Sequence, residues 1–192
     1  MKPTDRLRPL AQRSAYDSPW PLRTRIRMAA WSAVWLLLFR PTPKFLFPWR
    51  VFLLRLFGAR IQGRPFVSES ARIKAPWNLT LGHRACIGPH AEVYNLAPVV
   101  IGARATLAQN VYLCGGTHDF STHRLPLMVG GIHVGRDAFI GARAIVLPGV
   151  EIGDGVVAGA GSVVANDLPV WTICAGNPCR PLRKRPFDKR VT

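Results

Sequence analysis

Acidic residues are scarce in this chain. Ten Asp and Glu stand against 26 Lys and Arg in 192 residues, a formal charge of +16 and a pI near 11.3. Such an imbalance points to an anionic partner: nucleic acid, a phosphorylated substrate, or an acidic membrane surface. Cysteine is sparse too. Cys86, Cys114, Cys174 and Cys179 form no CxxC pair and no small-domain framework, which excludes a disulfide-stapled fold. The thiols read as small core or surface residues in a reducing, cytosolic compartment. Long apolar runs are missing as well. Met28 to Phe39 extends for twelve residues before Arg40, Pro41 and Pro43, short of the ~20 that span a bilayer. A signal peptide is not expected, because this block begins late, follows many arginines and lacks a small-residue cleavage site.

What is abundant is a repeat. From Val134 an aliphatic or small residue recurs every six positions: Val134, Ile140, Val146, Ile152, Ala158 and Val164. Ala138, Ala144, Val150, Val156 and Ser162, all compact, precede the next marker by two. The same step runs back through Ile101, Leu107 and Leu113, then Leu81, Ile87 and Val93, and more weakly Ile61, Val67 and Ile73. Fifteen markers thus fall into five groups of three. Three short strands per coil make a triangular prism with one inward side chain per face. A coil cannot bury that side chain alone, so coils must stack. The expected fold is an all-β solenoid, a parallel β-helix of about five coils. Gly82, Gly88, Gly102, Gly135, Gly141, Gly153 and Gly159 sit at corners, where unusual backbone angles are expected. Insertions fall at Ala75–Thr80 and Asn95–Val100. The longest break, 114–133, carries no repeat marks and reads as an ejected, functional loop.

Residues 1–60 differ in kind. They hold twelve Lys or Arg against Asp5 and Asp17, and four of the six tryptophans. Two apolar stretches, Met28–Phe39 and Phe45–Phe57, flank the proline break and predict a pair of helices. Tryptophan with basic and apolar residues suits an anionic membrane interface better than nucleic acid. Capping the open end of the solenoid is the alternative. The expected division is a helical segment 1–60, a solenoid 61–174 with its loop 114–133, and a basic tail 175–192.

Residues 45–185 resemble the hexapeptide-repeat acetyltransferases, which include the galactoside, maltose and nodulation-factor O-acetyltransferases. The nearest resemblance is to the colanic acid biosynthesis group. It is carried by Trp49-Arg50-Val51-Phe52-Leu53-Leu54-Arg55-Leu56-Phe57-Gly58-Ala59, by Leu113-Cys114 with Thr117-His118-Asp119, by Pro148-Gly149-Val150, and by Ala175-Gly176-Asn177-Pro178. It implies a left-handed helix, a homotrimer with active sites between subunits, acetyl-CoA as donor without a metal, and a saccharide or lipid-linked sugar acceptor. The implied location is the cytoplasm, on the inner face of the membrane.

Acyl transfer to a sugar hydroxyl needs a base, since an alcohol is a poor nucleophile at neutral pH. His118, directly after Gly115-Gly116, is the candidate, because imidazole titrates near neutrality. No nucleophilic-serine elbow suggests an acyl-enzyme. Asp119 is read as orienting the imidazole or holding the acceptor, or as a turn former. By resemblance the CoA arm meets Phe139, Gly141 and Ala142, then Gly159, Ala160, Ala165 and Asn166, and its phosphates meet Arg180 and Arg183. Sugar acetyltransferases carry an acceptor-binding Asn where this chain has Gly88, so Tyr94, Asn95 and Arg124 are the candidate replacements. Two rivals stand beside this reading: a zinc site of His83, His118 and His123, as in the γ-class carbonic anhydrases, and a non-catalytic scaffold.

Overall fold

The computed structural model describes residues 2–12 and 17–186. Short parallel strands wind into a three-faced prism. The first face stacks Arg60–Ile61, Leu79–Leu81, Val99–Ile101, Ile132–Val134 and Glu151–Ile152. The second stacks Phe66–Val67, Cys86–Ile87, Thr106–Leu107, Phe139–Ile140, Val157–Ala158 and Thr172–Gly176. The third stacks Arg72–Ile73, Glu92–Tyr94, Tyr112–Cys114, Ile145–Val146 and Val163–Val164. Five coils are complete. A partial sixth adds Leu168, bridged to Ile152, and Cys174.

The hexapeptide markers form the core. Apart from Ile61, which is partly buried, all are at most 3% exposed. Ala138, Ala144, Val150, Val156 and Ser162 are buried beside them. The corner glycines are needed for a different reason than expected. Their φ angles are ordinary, and the left-handed residues come two positions later, at Arg84, His90, Arg104, Asp137, Arg143, Gly155 and Gly161. What glycine supplies is proximity: a Cβ on Gly102 would lie 2.7 Å from the Arg136 nitrogen, and one on Gly141 2.5 Å from that of Ala160. A side chain there would hold the coils apart.

Two helices close the N-terminal end. α1 spans Leu22–Val34 and continues as a π turn, Trp35–Phe39; α2 spans Phe47–Leu56. Trp31, Phe39, Val51, Leu53 and Leu54 are buried against the first coil. Trp31 and Trp35 donate indole N–H bonds to the carbonyls of Ile73 and Ala71. The fully buried Arg50 donates to Val67, Pro43 and Lys44 carbonyls and to the Thr42 hydroxyl. The bonds to Ile73, Ala71 and Val67 satisfy first-coil carbonyls that the end of a solenoid would otherwise leave bare, and the others tie the cap to itself.

The boundaries at 60 and 174 need adjustment. Residues 3–10 do not join the helical cap. Arg8–Pro9 pairs antiparallel with Leu127–Val129, and Arg6 makes two bonds to Asp167, at 3.0 and 2.8 Å. At the far end, the expected tail opens with a strand, Cys179–Lys184, folded antiparallel onto Thr172–Gly176. Residues 187–192 lie outside the described residues.

Candidate active site

The loop that leaves the solenoid after Cys114 is a β-hairpin. Gly116–His118 pairs antiparallel with Leu127–Val129, and the N-terminal arm adds a third strand. His118 ends the first hairpin strand and is exposed. Its Nδ1 lies 2.7 Å from the Leu125 carbonyl oxygen. A carbonyl oxygen only accepts, so Nδ1 is the donor, and in the neutral ring the lone pair falls to Nε2.

Asp119 is not the group that orients this ring. Its Oδ1 accepts the backbone N–H of Ser121 at 2.9 Å, closing an Asx turn, and bonding to Ser121 holds its carboxyl below the usual range. The turn it closes leads the chain back towards Leu125.

His118 borders a pocket of about 500 Å³ with Cys114, Thr117, Phe120, Met128, Leu147 and Ala165. Pro3, Thr4 and Leu7 of the N-terminal arm complete its wall. Sequence reasoning missed these three, since the arm lacks periodicity and its partners lie more than a hundred residues away.

The expected cofactor residues divide into two groups. Ala165 lines the His118 pocket, and Asn166 follows it, exposed. Phe139, Gly141, Ala142, Gly159 and Ala160 do not line it. They belong to the second face and its corner, which enters the third face at Ile145, whereas the pocket begins where that face ends, at Leu147. The Gly161 N–H donates to the Ala142 carbonyl, and a Cβ on Gly159 would lie 2.9 Å from that of Ala175, so this corner is a tight stack of backbone. On the second face Phe139, Val157, Ile173 and Arg183 pair in register across four strands. At ~4.8 Å per strand, an apolar track some 14 Å long runs from the exposed Phe139 ring to an exposed arginine. Arg180, opposite Ala175, is exposed on the same final strand.

The expected acceptor residues are not gathered at His118. Asn95 is completely buried, its amide exchanging bonds with the Ala75 backbone at 2.9 and 2.7 Å. It braces an insertion and has no free polar atom to offer a sugar. Tyr94 lines a separate hollow with Trp31, Trp35 and Arg72, and Arg124 another with Gln12, Thr122 and His123. The departure at Gly88 has a steric cause, because a Cβ there would lie 2.7 Å from the Leu107 oxygen. Among the described residues no three His, Cys, Asp or Glu side chains converge as metal ligands, so His83, His118 and His123 do not form the zinc cluster of the rival reading.

Residues 131–165 match the family described as hexapeptide repeat of succinyl-transferase. Over 160 residues, 83% of this chain and 88% of the relative, the sequence is 39% identical to the putative colanic acid biosynthesis acetyltransferase WcaF of Escherichia coli K12. The chain belongs to the hexapeptide-repeat acetyltransferase family. It is therefore an acyltransferase built on a left-handed parallel β-helix. Among solved structures, a maltose O-acetyltransferase from Clostridium difficile 630 superposes with a TM-score of 0.77 at 26% identity, covering 87% of this chain and 90% of that one. The fold is shared as well by a galactoside acetyltransferase solved in complex with coenzyme A, at a TM-score of 0.80 and 24% identity over 87% of this chain and 84% of that one.

Proposed function

We propose that this acetyltransferase moves an acetyl group from acetyl-CoA to a hydroxyl of a saccharide or lipid-linked exopolysaccharide intermediate, with His118 as general base. The observation that carries the reading is the Leu125 carbonyl on Nδ1, which in the neutral ring assigns the lone pair to Nε2, on a side chain that lines an open pocket. Nε2 takes the hydroxyl proton as the sugar oxygen attacks the thioester carbonyl. The tetrahedral intermediate then collapses to the O-acetyl ester, and the departing CoA thiolate recovers a proton from the imidazolium. No covalent enzyme intermediate is needed. The acceptor class is supported by the sugar chemistry in the names of the similar proteins.

The donor is acetyl-CoA. Its pantetheine arm lies along Phe139, Gly141, Ala142, Gly159 and Ala160, and its phosphates meet Arg180 and Arg183. Because these residues do not line the pocket of His118, the complete site is read as taking His118 from one subunit and the CoA wall from its neighbour. A cyclic homotrimer satisfies that need, since its three interfaces are equivalent and head-to-tail. The four free thiols fit a reducing cytoplasm. The reading is tested by thiol-reagent detection of CoA released from acetyl-CoA in the presence of a saccharide acceptor. Release that is independent of acceptor, or absent with every sugar offered, counts against it.

A further inference from the structure

The helical cap uses only half of its apolar surface. Along α1, Thr24, Met28, Trp31 and Trp35 turn towards the prism, while Leu22, Ile26, Ala29, Ala30, Ala33 and Leu37 stay exposed. In and around α2, Arg50, Val51, Leu53 and Leu54 are buried, while Phe45, Trp49, Phe52 and Leu56, at i, i+4, i+7 and i+11, are exposed by 73, 40, 49 and 67%. An ordinary surface helix is polar on its outer side. These two carry large apolar residues on the outer side as well, interspersed with basic ones.

The two outer rows lie side by side. Arg27 donates to the Phe57 carbonyl near one end of the helix pair, and the Trp49 indole donates to the Leu38 carbonyl near the other. The helices are therefore antiparallel neighbours, and Trp49 stacks on Phe52 at 5.5 Å. Among the described residues, ten of the fifteen exposed large hydrophobics fall between Leu22 and Leu56, which makes this a patch and not scatter.

Charge selects the occupant. From Ser18 to Ser68 there is no Asp or Glu, but nine Lys or Arg. Arg23, Arg25, Arg40, Lys44 and Arg55 are exposed beside the apolar rows. Two copies of so basic a face would repel each other. An anionic lipid surface instead takes apolar side chains below its headgroups and cations at them, with indoles at the boundary. No helix among the described residues is long and apolar enough to cross a membrane.

We propose that the outer surface of the α1–α2 pair is a docking face for an anionic bilayer, entering one leaflet through Leu37, Phe45, Trp49 and Phe52. The same helices thus do two jobs, closing the solenoid with one side and holding the enzyme at a lipid surface with the other. The docking stands independently of the acceptor's identity.

The test is flotation of the full-length protein with vesicles of phosphatidylglycerol mixed with phosphatidylcholine, and with phosphatidylcholine alone. Binding is expected to the anionic vesicles only, weakening as salt screens the cations. The triple variant Leu37→Gln/Phe45→Gln/Phe52→Gln is expected to lose at least about tenfold in partitioning, because large apolar side chains no longer enter the leaflet. Its circular dichroism, oligomeric mass and acetyl-CoA binding should be unchanged, as none of the three residues lies in the core or at the proposed active site. Failure of the intact protein to float with anionic vesicles at low salt overturns the proposal. So does undiminished flotation of the variant, or a changed oligomeric mass, which would make the face a contact between subunits. Loss of acetyl-CoA binding by the wild type would count against the transferase reading and leave the docking result standing.

Discussion

The Leu125 carbonyl oxygen accepts a hydrogen bond from Nδ1 of His118 at 2.7 Å, across the loop that joins the two strands of the hairpin. Leu125 adopts a left-handed backbone with φ of 44°, which a branched side chain rarely takes without support. The Asp119 turn and the flanking strand pairing supply that support. The hairpin therefore fixes the tautomer of the proposed base through backbone alone, and no carboxylate partner is required.

Removing the imidazole should expose its contribution. His118→Ala is expected to lower kcat by roughly 100-fold or more, with acetyl-CoA affinity by calorimetry unaltered, because the proposed wall of Phe139, Gly141, Ala142, Gly159 and Ala160 does not line its pocket. Turnover equal to wild type would rule His118 out as the base.

Acid should loosen the stack at a definable point. Asp154 accepts the Arg136 backbone N–H at 2.7 Å and its guanidinium at 2.8 Å, tying the fourth and fifth coils together. Bonding to Arg136 holds the Asp154 carboxyl below its usual range. A carboxyl depressed in the folded state stabilises the fold above its unfolded pKa of about 4. That contribution is lost as pH falls through the folded value. Asp154→Asn keeps the backbone acceptor and removes the charge. Its melting temperature should be lower at neutral pH and should decline less between about pH 5 and 3. Parallel declines in both proteins would show that the pair contributes nothing.

The solenoid was legible because each coil repeats the same burial problem, so Leu81, Ile101 and Val134 each report the same inward position. The hairpin that carries His118 was legible because it stands where the step fails. The CoA wall came from resemblance alone, while the register that runs from Phe139 through Val157 and Ile173 to Arg183 could not be read from spacing. The N-terminal arm was not legible. Arg6 meets Asp167 across 161 residues, and nothing periodic marks either. Asn95 misled for a related reason: a polar residue close to a candidate base reads as a ligand group until the carbonyl and N–H of Ala75 are seen to consume it. The glycines were placed at the right corners for the wrong cause, because close approach between coils leaves the same letter in the sequence as an unusual φ.

Arg50 should matter more to folding than to catalysis. The residue is completely buried, its guanidinium bonded to three carbonyls and a hydroxyl, and burial lowers its pKa. Lysine cannot reproduce the planar fork of donors. Arg50→Lys is expected to cost roughly 2–4 kcal/mol in denaturant unfolding, since buried carbonyls lose their partners. Stability within about 0.5 kcal/mol of wild type would show that water replaces the bonds and that the cap is looser than its geometry indicates.

The division of the site between subunits is open to a complementation experiment. His118→Ala damages only the base, and Phe139→Glu/Arg183→Glu damages only the CoA wall, so each variant alone should be nearly inactive. In a cyclic trimer each interface joins the His118 pocket of one chain to the wall of the next. Coexpression of the two variants in equal amounts then leaves about a quarter of interfaces with both halves intact, by random pairing around the ring. Purified mixed trimers should regain close to that fraction of wild-type turnover, and light scattering should give three chains per particle. If base and wall served the same site within one chain, no mixed particle would contain an intact site, and coexpression would restore nothing.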